Sequence, residues 1–370
     1  MKKLAIIGAN EFQNPLILKA KEMGYETHVF AWQAGDIGEK TADVFHPISI
    51  VEKEAVWQVC KAEGVTACCS IGSDLATHTV NYVQRRLGNP CNPEITDTIA
   101  TDKYEMRRAL KAAGVPCPGF LRVTDIPSGK ALAGMRYPMI VKPTDRSGSR
   151  GIFKVTDYAG VKAAVPEAVA CSFSGAAIIE EFIEGEEFSC EGISFSGEHH
   201  LLALTKKYTT GAPHFIETGH AEPADIAPAV QARIYDAVKK ALDALQIQYG
   251  ASHAEFMLTP GGGVRIVEVG ARMGGDCIGS DLVFLSTGLD YTAMVIDAAC
   301  GKAPDLTPKG ERRGAEIRFI FSEYDKAALE ALLHTAPESV WRWECDSEHI
   351  SADVTDSSNR HGYWITTHNL

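Results

Sequence analysis

Two glutamates, Glu255 and Glu268, flank a Pro-Gly-Gly-Gly turn at 260–263, and their spacing constrains this chain more than any other feature. The flanks read Ala-Glu-Phe-Met-Leu-Thr over 254–259 and Val-Arg-Ile-Val-Glu-Val over 264–269. Two apolar-rich runs joined by turn residues predict a β-hairpin. A loop over 260–263 pairs Thr259 with Val264, Met257 with Ile266, and Glu255 with Glu268. The two acids then share one face with Cβ atoms about 5 Å apart, where like charges repel. A hard divalent cation relieves that repulsion, because magnesium is held by one or two carboxylates together with substrate phosphates. Read alone, the same pattern also fits a solvent-facing hairpin.

At 370 residues the chain exceeds the usual single-core limit of about 250–300, so two or three domains are expected. The 45% hydrophobic and 23% charged content is that of an ordinary globular protein. A formal charge of −12 argues against nucleic acid and anionic membranes as partners. ATP remains open, because phosphate sites need local lysines and amides rather than global positive charge. No apolar run approaches the ~18–20 residues of a transmembrane helix. Met-Lys-Lys before Leu-Ala-Ile-Ile-Gly imitates a signal peptide, but its apolar stretch is too short and meets Asn10-Glu11. The expected compartment is therefore the reducing cytosol, with the ten cysteines as free thiols. No zinc-ligand spacing is present, and His199-His200 reads as part of a solvated turn. The composition permits a homodimer without requiring one.

Strands near 3–8, 26–32 and 65–71 alternate with helices at 14–24 and 75–87, the second opened by Gly72-Ser73-Asp74. This alternation predicts a parallel sheet covered by helices. Gly8-Ala9-Asn10-Glu11-Phe12-Gln13 lacks the second and third glycines of a dinucleotide fingerprint, which discounts a nicotinamide dehydrogenase. Thr101-Asp102 caps a helix over 103–113 that stops at Gly114-Val115-Pro116. Strands follow at 137–142, 152–156 and 177–183, then a β-ribbon over 186–195 and 200–206. Residues 207–224 read as a long irregular loop, and such loops are usually functional. The tail from Arg313 reads as strand, helix and short strands.

Lys142 ends an apolar strand just before Ser147-Gly148-Ser149-Arg150-Gly151. That placement suits a flap whose amides and lysine hold phosphates, and equally a flexible surface turn. A P-loop motif is absent. In Ile178-Ile179-Glu180-Glu181-Phe182-Ile183-Glu184-Gly185-Glu186-Glu187 an apolar strand runs into acids. Its backbone end could meet an adenine edge, and a nearby carboxylate could accept from ribose hydroxyls.

In this order the pieces resemble the ATP-grasp superfamily from residue 3 to about 300. The resemblance implies an α/β ATP-grasp fold: an N-terminal Rossmann-like parallel-sheet domain, a central lid subdomain and a C-terminal antiparallel-sheet catalytic domain. The implied units are 1–97, 98–310 with the lid at about 115–184, and a small α/β segment at 311–370. It implies that Lys103, Lys142, Ser147, Gly148 and Ser149 meet the ATP phosphates. Glu180 and Ile183 match the adenine hinge, and Glu187 the ribose acid. Glu255 and Glu268 match the ligands of magnesium, or of manganese in its place. Arg272 matches the arginine that steadies the transferring phosphoryl group. One departure stands out: many members carry Asn two residues after the second acid as a further metal ligand, and here that position is Gly270.

Lys206–His220 and Glu268–Asp276 resemble the corresponding segments of L-amino-acid ligases, which join two amino acids. That resemblance implies that Glu217 and His220 hold the substrate ammonium or its neighbourhood. It also implies that Gly274 and Gly275 bring backbone amides to an acyl oxygen and that Asp276 shapes side-chain preference. A glutamate suits a cationic amine, and glycine suits close backbone approach. The implied reaction converts a carboxylate to an acyl phosphate with release of ADP, then joins it to an amine. Two rivals stay open at this point: an ATP-grasp enzyme that activates bicarbonate, as carboxylases and carbamoyl-phosphate-forming enzymes do, and a nucleotide-binding module without turnover.

Overall fold

The computed structural model of the chain describes residues 1–212, 215–345, 350 and 354–370. Three sheets organise it. The first is fully parallel, in the order Val44–His46, Tyr25–Phe30, Lys2–Ile7, Ala67–Cys69. Its central strand buries Leu4, Ala5, Ile6 and Ile7 completely, as a strand covered on both faces must. Cys68 and Cys69 lie in this core as free thiols. The helix Asp74–Leu87 begins where the Ala67–Cys69 strand has ended, with Ser73 as N-cap accepting from the Ala76 amide.

The second sheet is antiparallel, in the order Phe120–Val123, Ala177–Glu181, Met139–Pro143, Phe153–Val155. Helix Tyr158–Cys171 covers it by burying Val161, Ala164, Val165 and Ala168. The third sheet has eight antiparallel strands, in the order Val264–Gly270, Gly250–Leu258, Glu186–Phe195, Glu198–Thr209, Glu217–Glu222, Gly314–Phe319, Gly362–His368, Val340–Cys345. The tail of the chain thus extends this sheet and forms no sheet of its own.

Three expectations change. Glu255 does pair with Glu268, but by a different register: Leu258 faces Val264, Phe256 faces Ile266, and an irregularity between Glu255 and Phe256 restores the acid pair. The turn closes on Thr259, whose N–H donates to the Gly263 carbonyl, so it is longer than the hairpin rule predicts. Val267 is the extra residue of a β-bulge, and its carbonyl accepts from Arg107. Second, 207–224 is not one loop. The strand from Glu198 continues to Thr209, and Glu217–Glu222 is a strand paired on both sides. Pro213 and His214 lie outside the described residues. Third, the turn is Ser196-Gly197, and His199 lies in the next strand, 9% exposed and bonded to Ser194 and Asp243.

Among the described residues no single helix is long and apolar enough to cross a membrane. Beneath the eight-stranded sheet, Glu222 is buried and accepts from Thr205 Oγ1 at 2.6 Å and Ser286 Oγ at 2.8 Å. Burial pushes its carboxyl from 4.5 up to about 8, against the pull of those hydroxyls. A raised folded pKa contributes stability that is whole below the unfolded value and is lost as pH rises through the folded one. Glu222→Gln removes this dependence. The melting temperature of that variant relative to wild type should rise by a few degrees between about pH 5 and about pH 8. A constant difference over that range contradicts a buried neutral carboxyl.

Candidate active site

The parallel sheet, the flap-bearing sheet and the eight-stranded sheet enclose a cavity of about 740 Å³. Its wall carries Lys103, Lys142, Ser147, Gly148, Ser149, Glu180, Ile183, Glu187, Glu217, His220, Gly275 and Asp276. Glu255, Glu268 and Arg272 also line it. Of the residues singled out in the sequence, Gly274 alone is not on this wall: its N–H donates to Glu191 Oε2 at 2.8 Å. That amide is therefore occupied, and only Gly275 retains the expected place.

The opposed acids are each held by a lysine. Lys207 Nζ lies 2.5 Å from Glu255 Oε1, 3.3 Å from Glu187 and 3.8 Å from Glu217. Lys103 Nζ lies 2.9 Å from Glu268 Oε1 and donates to the Arg146 carbonyl of the flap at 2.6 Å. Both lysines are almost fully buried, at 6% and 4% exposure, so their charges need these partners. Burial would lower the Lys207 ammonium, but its three acids outweigh it and hold the pKa well above normal. Burial would likewise raise Glu255, and Lys207 and His253 instead hold it well below the carboxylate range. Glu187 shares Lys207, yet burial wins there and its pKa rises, with Glu255 and Glu217 adding to the lift.

A relay runs behind Glu255. His253 Nε2 contacts Glu255 Oε1 at 3.2 Å, and its Nδ1 meets the fully buried Glu191. Burial disfavours the His253 cation, but Glu191 overrides it and lifts the pKa to about 9. At the far wall Lys142 Nζ pairs with Glu180 Oε2 at 2.9 Å, and Arg107 Nε lies 2.6 Å from Glu180 Oε1. Those two cations outweigh burial and lower Glu180 to about 2. The Glu180 carboxylate is therefore engaged by cations.

The flap also reaches Glu217. Ser149 Oγ donates to the Phe215 carbonyl at 3.1 Å and to Glu217 Oε2 at 3.5 Å. Ser357, from the C-terminal segment, meets the same carboxylate, its Oγ donating to Glu217 Oε2. Arg360 forks onto Asp276 at 2.6 and 2.9 Å. Its pull outweighs burial and keeps the Asp276 carboxyl low. His220 Nε2 sits 3.5 Å from Asp276, and burial lowers its pKa.

Sequence reasoning missed Lys207, Asp74, Arg107, Glu191, His253 and Arg360 as site residues. Lys207 alone carried a visible signal, as the inward member of a Lys-Lys pair at the end of an apolar strand.

The fold is the ATP-grasp fold. Residues 135–281 match the ATP-grasp domain family. It is 29% identical over 314 residues to alanine–anticapsin ligase of Bacillus subtilis, covering 74% of this chain and 65% of that protein. It is 30% identical over 240 residues to D-alanine–D-alanine ligase of Sodalis glossinidius, covering 60% of this chain and 62% of that one. The chain thus spans slightly less than two thirds of the length of these curated relatives. The fold is that of an L-amino acid ligase from Bacillus licheniformis, at TM-score 0.83 and 22% identity over 100% of this chain and 94% of the other. A phosphoribosylglycinamide synthetase from Anaerococcus prevotii superposes at TM-score 0.78 and 21% identity, with 100% and 94% covered.

ATP-grasp enzymes use ATP, and the place of Lys142 on this wall gives a direct test. Lys142→Ala should raise the ATP concentration needed for half-saturation about 10-fold or more, since a charge-assisted contact to phosphate is lost. Unchanged ATP dependence in steady-state assays contradicts the flap assignment.

Proposed function

We propose that this chain is an ADP-forming carboxylate–amine ligase that activates an amino-acid carboxylate as an acyl phosphate and joins it to the amine of a second amino acid. The observation that carries the reading is the opposed pair Glu255 and Glu268 on one cavity wall with Lys103, Lys142 and Arg272. The all-oxygen donor pair suits a hard cation, and the lysines now on those oxygens supply the positive charge that such a cation would replace. That fits magnesium, or manganese, held by two carboxylates with phosphate and water completing the shell. Bound there, the cation would neutralise charge developing on the phosphoryl oxygens.

The chain's own residues do the rest by position and charge. Lys103, Lys142 and the Ser147–Ser149 amides hold the triphosphate, Glu187 the ribose, and the backbone at Ile183 the adenine. A substrate carboxylate oxygen attacks the γ-phosphorus, the bond to the ADP oxygen breaks, and Arg272 steadies the transferring group. The substrate amine then attacks the acyl carbon, phosphate leaves, and the nitrogen loses a proton. Glu217 holds an ammonium, His220 and Asp276 border it, and the Gly275 amide faces the acyl oxygen. The flap and the Ser357 segment keep water from the acyl phosphate. In this reading 1–97 and 98–310 act as two units in the cytosol, and 311–370 adds strands to the sheet of the second. The carboxylates at the substrate end favour a cationic amine over bicarbonate.

The test is a phosphate-release screen over pairs of amino acids, with products identified by mass. ADP release that depends on bicarbonate without any amino acid overturns the ligase reading. So does ATP binding with no turnover across the screen. For an active pair, Glu268→Gln should abolish ADP release, a loss of about 10³-fold or more, in a protein that still gives the circular dichroism spectrum of the folded wild type. Wild-type turnover in that variant refutes the metal assignment.

A further inference from the structure

Gly270 follows Glu268 by two residues, and its surroundings decide what that position can hold. Its φ is not positive, so the backbone admits a side chain there. Space does not. A Cβ on Gly270 would stand 2.9 Å from Asp74 Oδ1 and 3.1 Å from Arg272 Nε. The volume is taken by the Asp74 carboxylate, which arrives from the parallel-sheet region on the first residue of helix Asp74–Leu87.

Asp74 is tied to Arg272 by a fork: Nε donates to Oδ1 at 2.9 Å and Nη2 donates to Oδ2 at 3.2 Å. Such bidentate pairs fix the plane of a guanidinium as well as its distance. Burial would raise the Asp74 carboxyl, but Arg272 outweighs it and keeps the acid ionised. The helix N-terminus beneath favours the same negative charge. The turn before Asp74 runs beside the same segment, since a Cβ on Gly72 would lie at ordinary contact distance, 3.7 Å, from Gly275 Cα.

We propose that Asp74 replaces the side chain missing at 270. Its carboxylate fills that volume and sets the orientation of Arg272, so one residue of the N-terminal region aims a charge of the phosphoryl-transfer site. Asp74 is thus a positioning residue, acting through Arg272. The catalytic part of this inference rests on the ligase reading. The exchange of volume between Asp74 and residue 270 does not.

The experiment compares wild type with Asp74→Ala, Asp74→Asn, Gly270→Asn and the double variant Asp74→Ala/Gly270→Asn. Each is measured for kcat, for KM of ATP and for melting temperature. Asp74→Ala and Gly270→Asn should each lower kcat about 10–100-fold with KM for ATP changed less than about 3-fold, because only the aim of Arg272 is lost. Asp74→Asn keeps one acceptor oxygen and should lose less than Asp74→Ala. The double variant should exceed both single variants in kcat, because the amide oxygen introduced by Gly270→Asn then enters the vacated volume and accepts from Arg272. Purely additive losses, or an unchanged kcat in Asp74→Ala, overturn the proposal. If wild type turns over no amino-acid pair, the ligase reading fails, and the melting temperatures still decide the volume exchange. Gly270→Asn should then melt below wild type, with the loss relieved in the double variant. Additivity in melting overturns it.

Discussion

Two carboxylates held face to face are the constraint around which the cavity is built. At about 5 Å and an effective dielectric of about 20, their mutual repulsion is on the order of 3 kcal/mol, comparable to a large share of a domain's net stability. The chain offsets it with one buried lysine on each acid, Lys207 on Glu255 and Lys103 on Glu268. Those lysines are in turn costly to bury alone, so the acids and lysines stabilise one another as a set. This arrangement is poised for exchange. In the proposed reading, a cation bound between the acids would free both ammonium groups for the phosphates that accompany it.

The set also explains why separate parts of the chain must meet here. Lys103 comes from the helix that follows Asp102, Lys207 from the long strand Glu198–Thr209, and both acids from the bulged hairpin. Asp74 reaches in from the parallel-sheet region, and Arg360 from the tail. The flap touches one of these directly, since the Arg146 carbonyl accepts from Lys103, and through Ser149 it also bonds the Phe215 carbonyl and Glu217. The flap is therefore tied to Glu268 through Lys103, and directly to Glu217.

Much of this was legible in the sequence where the signal is local. The parallel βαβ start, the Asp102 cap, the Ser/Gly flap and the facing of Glu255 and Glu268 all follow from periodicity and turn chemistry within a few residues. The hairpin register was not, because a period of two cannot reveal that Val267 bulges to meet Arg107. The Glu217–Glu222 strand was not either. Apart from Thr218, its Glu, Gly, His and Ala have little intrinsic β preference, and it is a strand because neighbours bond it on both sides. His199 read as solvated for the same reason, since Asp243 and Ser194 reach it only in three dimensions. Asp74 looked like a plain helix start, and its partner lies 198 residues away. The Gly274 amide was assigned by likeness, but the buried Glu191 that occupies it has no mark in sequence.

The most direct test of the metal-gripping pair is anomalous scattering from crystals grown with manganese and a non-hydrolysable ATP analogue. The account predicts a manganese peak bonded to both Glu255 and Glu268, with Lys207 and Lys103 drawn off those oxygens. Clear nucleotide density with both carboxylates still on their lysines, and no manganese between them, would contradict it.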